Sequence, residues 1–289
     1  MKKKIFAISL AAAMSVTAVG LMAGCGGDNG GDTLTLSGST SVQPLMQELA
    51  AKYEELNEGV KVEVSGGGSG VGISDAQEGK VDIGMSSRDL HSDETGVTYK
   101  KIADDGIAVI VSAGNTVTEV TSAEVFDLYM SGTAIDGTIT KAVMREAASG
   151  TRDAFLELIK KDGTSMKDAY AEKLAFAGCV QEANSTDLAI TTVSQDNATL
   201  GFISLGSVAA NASKIKALAV DGVEATTANV SNSTYKLVRP FNLIYQEDEL
   251  SDLAKDFLTF IDSKEGQAII NEDYIGQVSN AADYTPYVK

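Results

Sequence analysis

The chain has 289 residues, of which 44% are hydrophobic and 22% charged. That is the balance of a folded globular protein of about two domains, not of a disordered or multi-span one. Its formal net charge of −17 leaves no electrostatic footprint for phosphodiesters and no attraction to an anionic membrane surface, so nucleic acid is excluded as a partner. A small anion is not excluded, because local dipoles and one or two arginines outweigh a screened distant field.

Residues 1–24 read as a targeting segment. Lys2, Lys3 and Lys4 precede an apolar run from Ile5 to Leu21 that is too short and too alanine-rich for a spanning helix. The sequence Leu21-Met22-Ala23-Gly24-Cys25 resembles the bacterial lipoprotein signal, with Cys25 as the lipidated residue. An ordinary secretory signal is the alternative. Lipidation would hold the chain on the extracytoplasmic face of the cell membrane, touching it only through the anchor. Removing the three lysines takes the net charge from −17 to −20. Residues 25–32 are a glycine-rich tether. Cys179 is then the lone cysteine, so no disulfide forms within the chain, and Phe176-Ala177-Gly178-Cys179-Val180 reads as buried and inert. The single histidine, His91, lies in a polar stretch that reads as a solvated loop. No His/Cys cluster has metal spacing, so neither a metal nor a cofactor is expected.

The fold begins with a strand at Thr33 to Leu36 and the turn Ser37-Gly38-Ser39-Thr40-Ser41. A helix follows, with Val42, Leu45, Met46, Leu49, Tyr53 and Leu56 at helical spacing and Pro44 in its first turn. The pattern repeats: a strand at Val60 to Val64, the glycine-rich turn Ser65 to Gly72, and a short helix from Ile73 to Glu78. A strand from Val81 to Met85 ends at Ser86-Ser87-Arg88. Strands and helices alternating at this spacing predict an α/β fold with mostly parallel sheets, whose ligands bind beyond the carboxyl ends of the strands. All three turns should share that rim.

Ile107 to Val111 reads as a strand buried on both faces. A helix carrying Val125, Phe126, Leu128 and Tyr129 follows. Then come the strand Ala142-Val143-Met144, the turn Arg145 to Arg152, and a helix from Asp153 to Lys161 with Phe155, Leu158 and Ile159 on one face. Further on, a helix is predicted at Thr186 to Val193, strands at Leu200 to Ser204 and Ile215 to Val220, and a loop at Ala225 to Thr234. Leu237 to Tyr245 reads as a strand whose Pro240 suggests an edge or a crossing between domains. Helices at Leu253 to Ile261 and Lys264 to Ile270 precede an irregular tail. The two apolar crossings imply a discontinuous first domain, 33–108 plus 238–289, with 109–237 inserted as the second, joined by a two-strand hinge.

The turn at 145–152 gathers backbone N–H groups, hydroxyls and the positive end of a helix dipole between two guanidinium forks, a setting for an oxyanion. A P-loop lysine, a metal-binding Asp cluster and a nucleophile–base pair are all missing, so an enzyme is not expected. Gly38-Ser39-Thr40-Ser41-Val42-Gln43-Pro44-Leu45, Gly67-Gly68-Ser69-Gly70, Asp82-Ile83-Gly84-Met85-Ser86-Ser87-Arg88 and Arg145 to Phe155, in this order, carry a resemblance. The chain resembles the phosphate-binding lipoproteins of bacterial phosphate ABC transporters, the PstS-type periplasmic binding proteins, in a form that looks Gram-positive. The resemblance implies a two-domain Venus-flytrap fold, a monomer, that closes on inorganic phosphate and delivers it to membrane permease subunits. It implies phosphate contacts at Thr40, Ser41, Ser69, Ser87, Arg88, Arg145, Ser149, Gly150 and Thr151, with Ser39, Gly70 and Arg152 beside them. Where much of the family has an Asp that accepts the ligand's proton, this chain has Ser87. Asp153 or Glu146 is the alternative acceptor. Another tetrahedral oxyanion (sulfate, molybdate, tungstate or arsenate) is the alternative ligand, and a phosphate sensor or surface lipoprotein the alternative role.

Overall fold

The computed structural model describes residues 32–288. The targeting segment, Cys25 and the tether up to Gly31 lie outside the described residues. The first half of the fold runs β1 (Asp32–Gly38), α1 (Gln43–Leu56), β2 (Val60–Gly66), α2 (Ser69–Gln77) and β3 (Ile83–Ser86). Leu34 and Leu36 alternate into the core from β1, and Leu45, Met46, Leu49 and Tyr53 meet them from one face of α1. β1 pairs in parallel with both β2 and β3, with Gly38 opposite Gly66 and Met85, so the three strands end level with one another. Asp82 accepts from the N–H (2.8 Å) and hydroxyl (2.7 Å) of Thr35, which ties the start of β3 to β1.

β4 (Thr98–Ser112) is fifteen residues long, far longer than the apolar 107–111 that the sequence marks. Its first half carries Lys100, Lys101, Asp104 and Asp105, a polarity that hides a strand from hydropathy. The middle of the chain continues with β5 (Glu119–Val120), α3 (Ser122–Ser131), β6 (Lys141–Arg145), α4 (Gly150–Leu158), β7 (Lys160–Lys161), β8 (Thr164–Ser165), α5 (Met166–Lys173), β9 (Val180–Ala183), α6 (Thr186–Ser194), β10 (Thr199–Ser204), β11 (Ile215–Ala217), β12 (Ala219–Val220) and α7 (Thr227–Ser231). The chain then returns through β13 (Val238–Tyr245) and ends in α8 (Asp252–Asp262), α9 (Lys264–Asp273) and β14 (Ile275–Gly276).

The main sheet has the order β2-β1-β3-β13-β4-β10-β6-β9. Its outer ladders, β1 with β2 and β3 and β6 with β9 and β10, are parallel. The central ladders of β4 with β13 and β10 are antiparallel. β4 changes partner in mid-strand: Gly106 faces Val238 of β13, and Ile107 faces Ser204 of β10. One hydrophobic core gathers α1, α8 and α9 under β1–β3 around Tyr53, Phe257 and Phe260. Another gathers α3 and α4 under β6 and β10, where Phe155 stacks on Phe202 at 3.8 Å and Tyr129 meets Phe155 edge-on. Phe155→Ala should lower unfolding free energy by about 3–5 kcal/mol in a urea titration, because the stack leaves a cavity that rigid strands cannot close.

Several elements depart from the sequence reading. The helix after Arg145 starts at Gly150, with Ser149 as its N-cap, and ends before Ile159. Asp162 and Gly163, both at positive φ, turn the chain into the β7–β8 hairpin instead. The expected loop at 225–234 contains α7, capped by the Thr226 hydroxyl. The strand expected over Ile215 to Val220 breaks at Leu218, where β11 leaves β4 and β12 joins β5. Pro240 lies in a central crossing strand, not at an edge. β3 pairs with β13 only from Asn242 onward, so at Pro240 that side of β13 has no ladder to interrupt. Cys179 is half-buried, its thiol 3.7 Å from the Leu128 carbonyl. Among the described residues, no helix is long and apolar enough to cross a membrane, and no group of three or more His, Cys, Asp or Glu is placed to hold a metal ion.

Candidate functional site

The level ends of β1, β2 and β3 place the turns at 39–41, 68–69 and 86–88 side by side. On the facing half, Arg145 at the end of β6 stands opposite Ala183 at the end of β9. The chain turns from there into α4 and α6, each opened by a serine N-cap, Ser149 and Ser185. Ser149 Oγ accepts the Arg152 N–H. The Gly150 and Thr151 N–H groups remain at the positive end of α4, since the first turn of a helix has no intrahelical acceptor for them.

These two walls meet. The Gly70 N–H donates to the Ala148 carbonyl at 3.0 Å. Gly68 caps α2 at φ +96, and a Cβ there would lie 2.9 Å from the same carbonyl, so only glycine lets the walls come this close. Four hydroxyls form a row across the join. Thr40 Oγ1 lies 3.3 Å from Thr186 Oγ1, Thr186 Oγ1 3.3 Å from Ser41 Oγ, and Ser41 Oγ 2.9 Å from Thr151 Oγ1. A second group joins Ser39 Oγ to Ser87 Oγ at 3.0 Å and Ser87 Oγ to Ser69 Oγ at 3.2 Å, while the Ser87 N–H donates to Ser69 Oγ at 3.0 Å. Ser41, Ser69 and Ser87 are fully buried, and Ser39, Ser149, Thr151 and Thr186 nearly so.

Arg145 is 1% exposed. Glu146 grips one edge of its guanidinium, accepting from Nε at 2.8 Å and from Nη2 at 2.7 Å. The rest of the fork reaches over the row: Nη2 donates to Thr40 Oγ1 at 2.8 Å and Nη1 to Thr186 Oγ1 at 3.1 Å. This bidentate carboxylate holds the arginine in one orientation. Of the residues singled out from the sequence, Ser39, Thr40, Ser41, Ser69, Ser87, Arg145, Ser149, Gly150 and Thr151 converge here, and Gly70 joins the walls through its backbone.

Arg88 and Arg152, both expected to contact the ligand, point their guanidinium groups elsewhere. Arg88 forks onto Glu94 at 2.6 and 2.7 Å, and its Nε meets Asp153 of α4 at 3.1 Å. The early start of α4 sets Asp153 across from Arg88, a partner the sequence does not display. Burial pushes the Asp153 carboxyl up, with the Arg88 charge opposing it. Burial also works on Glu94, but hydrogen bonds from Arg88 and the His91 N–H outweigh it and hold that carboxyl low. Arg152 lies over the rings of Tyr170 and Phe176 at 5.4 and 5.5 Å and donates to the Arg145 carbonyl at 3.3 Å. Both carboxylates considered as proton acceptors are therefore engaged, Glu146 by Arg145 and Asp153 by Arg88.

Sequence reasoning missed two residues of the cluster. Thr186, the first residue of α6, brings a hydroxyl as Thr151 does in the first turn of α4; the signal was Ser185-Thr186 at the start of a predicted helix, hidden because β9 before it was not recognised. Arg239, on β13, donates Nη1 to Thr151 Oγ1. Its Nε and Nη2 bind Asp105 Oδ2 at 3.1 and 2.9 Å, and Ser204 Oγ donates to Oδ1 at 2.8 Å. Burial pushes the Asp105 carboxyl up and the Arg239 guanidinium down, each opposed by the partner's charge.

Helix N-termini from two sheet halves, meeting over strands that both halves share, define a bilobal binding protein. The chain belongs to the PBP superfamily: residues 24–265 match the model of the PBP superfamily domain. It is 38% identical over 148 residues to phosphate-binding protein PstS 2 of Streptococcus agalactiae, a match to 51% of this chain and 48% of that protein. The chain thus spans about half the length of that relative. Phosphate-binding protein PstS of Bacillus subtilis is 28% identical over 258 residues, covering 86% of this chain and 81% of the relative. A putative phosphate ABC transporter substrate-binding protein from Clostridium perfringens, solved with bound phosphate, superimposes with a TM-score of 0.76 at 34% identity, covering 85% of this chain and 100% of that one.

Proposed function

We propose that this chain binds inorganic phosphate between its two sheet halves and delivers it to the permease of a phosphate ABC transporter, without chemical turnover. One observation carries the reading. Buried hydroxyls from both walls and the N-termini of α4 and α6 converge on Arg145, and the nearby carboxylates are already held by guanidinium groups. Such a site offers donors to an oxyanion and no free negative charge against it. The names of the streptococcal, bacillar and clostridial relatives support the choice of phosphate and of an ABC permease as partner. In this reading 33–108 plus 238–289 form one lobe and 109–237 the other, β4 and β13 are the hinge, the protein works as a monomer, and Cys25 carries the lipid anchor outside the cytoplasm.

Thermal and calorimetric titration of the soluble chain with phosphate, arsenate, sulfate and molybdate tests it. Phosphate should raise stability by about 2.7 kcal/mol at a hundred times its Kd and bind at least about tenfold tighter than sulfate. Sulfate binding within that margin would favour the second reading, a general tetrahedral-oxyanion binder. The observation behind that alternative is Ser87, whose hydroxyl can donate as well as accept and so discriminates less than a carboxylate. A generic phosphate ester should remain uncleaved.

A further inference from the structure

The hydroxyl row takes a direction from its Arg145 end, and an arginine also donates into its far end. A hydroxyl has one proton and two acceptor lobes, while a guanidinium is a donor only. Thr40 Oγ1 accepts from Arg145 Nη2 and from the Thr186 N–H, which fills both lobes. Its proton must therefore go to Thr186 Oγ1. Thr186 accepts that proton as well as one from Arg145 Nη1, and so passes its own proton to Ser41. Ser41 and Thr151 then share one hydrogen bond. The bond can run either way; Arg239 Nη1 fills one lobe of Thr151, and with Ser41 as donor the other is filled too. The Thr151 proton is then surplus to the row, and Thr151 has no lone pair left to turn toward an anion.

We propose that Arg239 is a positioning residue of the anion site: held by Asp105, it makes the Thr151 hydroxyl a dedicated donor to an unprotonated oxygen of the bound oxyanion. This deepens the phosphate reading above and rests on it. The pair is built for a fixed role. Arg239 and Asp105 face each other in the β13–β4 ladder, are 2% and 1% exposed, and are braced by Ser204 and by the Phe241 ring at 5.2 Å. An ion pair this deep has a desolvation cost that leaves little net gain in stability, so its presence asks for another function.

The test is phosphate calorimetry on the folded chain with a double-mutant cycle. Arg239→Met with Asp105→Leu removes both charges together, a change that often leaves stability near neutral where a single replacement would strand a buried charge. It should weaken phosphate binding by about 30-fold, the loss of one charge-assisted donor arrangement, with the unliganded melting temperature little changed. Arg239→Lys, which keeps the charge but not the fork, should fall between wild type and the double variant. In a Thr151→Val background the Arg239 and Asp105 changes should add less than about threefold. Equal losses in both backgrounds would overturn the positioning role, and wild-type affinity in Arg239→Lys would overturn it even if the double variant did not fold. A wild-type chain that binds no oxyanion overturns the phosphate reading itself, whereas wild-type binding with indifferent variants overturns only the role of Arg239.

Discussion

Gly150→Ala should lose phosphate binding by at least about a hundredfold while the unliganded protein stays as stable as wild type. Gly150 is the first residue of α4, where alanine is a better helix former than glycine. Its φ lies outside the positive range, so the backbone accepts a Cβ without strain. What does not accept it is the opposite wall. A Cβ at 150 would stand 2.5 Å from Ser69 Oγ, 2.9 Å from Ser87 Oγ and 3.0 Å from Ser69 Cβ. Ser69 cannot simply turn away, because it accepts the Ser87 N–H and bonds the Ser87 hydroxyl. The methyl therefore acts as a wedge between the halves, harmless to either alone. Calorimetry together with a denaturant melt separates these outcomes. Binding within threefold of wild type would show that the walls need not meet this closely around the ligand.

Arg145→Met should cost more still. Two charge-assisted hydrogen bonds reach from Arg145 to the hydroxyl row. Turned onto the anion, these two N–H groups at about 1.5–3 kcal/mol each correspond to roughly a hundredfold to ten-thousandfold in Kd. The substitution also frees Glu146, which turns from a brace into a negative charge facing an anion. Adding Glu146→Gln should therefore recover part of the loss. If the second change recovers nothing, Glu146 is only a tether. If Arg145→Met binds phosphate as wild type does, the site lies elsewhere.

The strand-turn-helix rhythm was legible because its cause is local. Apolar alternation, small turn residues and capping serines each act within a few positions, and the turns at 37–41, 65–72, 86–88 and 145–152 were visible as turns. Arg239, Asp105 and Thr186 were not legible as site residues, because nothing local marks them. Asp105 sits in a polar stretch that becomes a strand only through its pairing with β13, and its partner is 134 residues away. The same lack of non-local information hid the partners of Arg88. A guanidinium beside a glycine-rich rim suggests an anion, and only the folded chain shows Glu94 and Asp153 already there. The long β4 was read short for a related reason: its first half is stabilised by neighbours and not by hydropathy.

β4 has a mechanical meaning as well. Because one strand continues from one sheet half into the other, the halves are joined by a torsion bar and not by a slack tether, and β13 runs beside it where β4 changes partner. A twist of that bar moves each atom in proportion to its distance from the axis. In the proposed reading such a twist would part the contacts between the walls, Gly70 to Ala148 and Arg88 to Asp153. Arg239 and Asp105 pair across the β13–β4 ladder itself, so in that reading they would stay with the bar while the other donors close toward them.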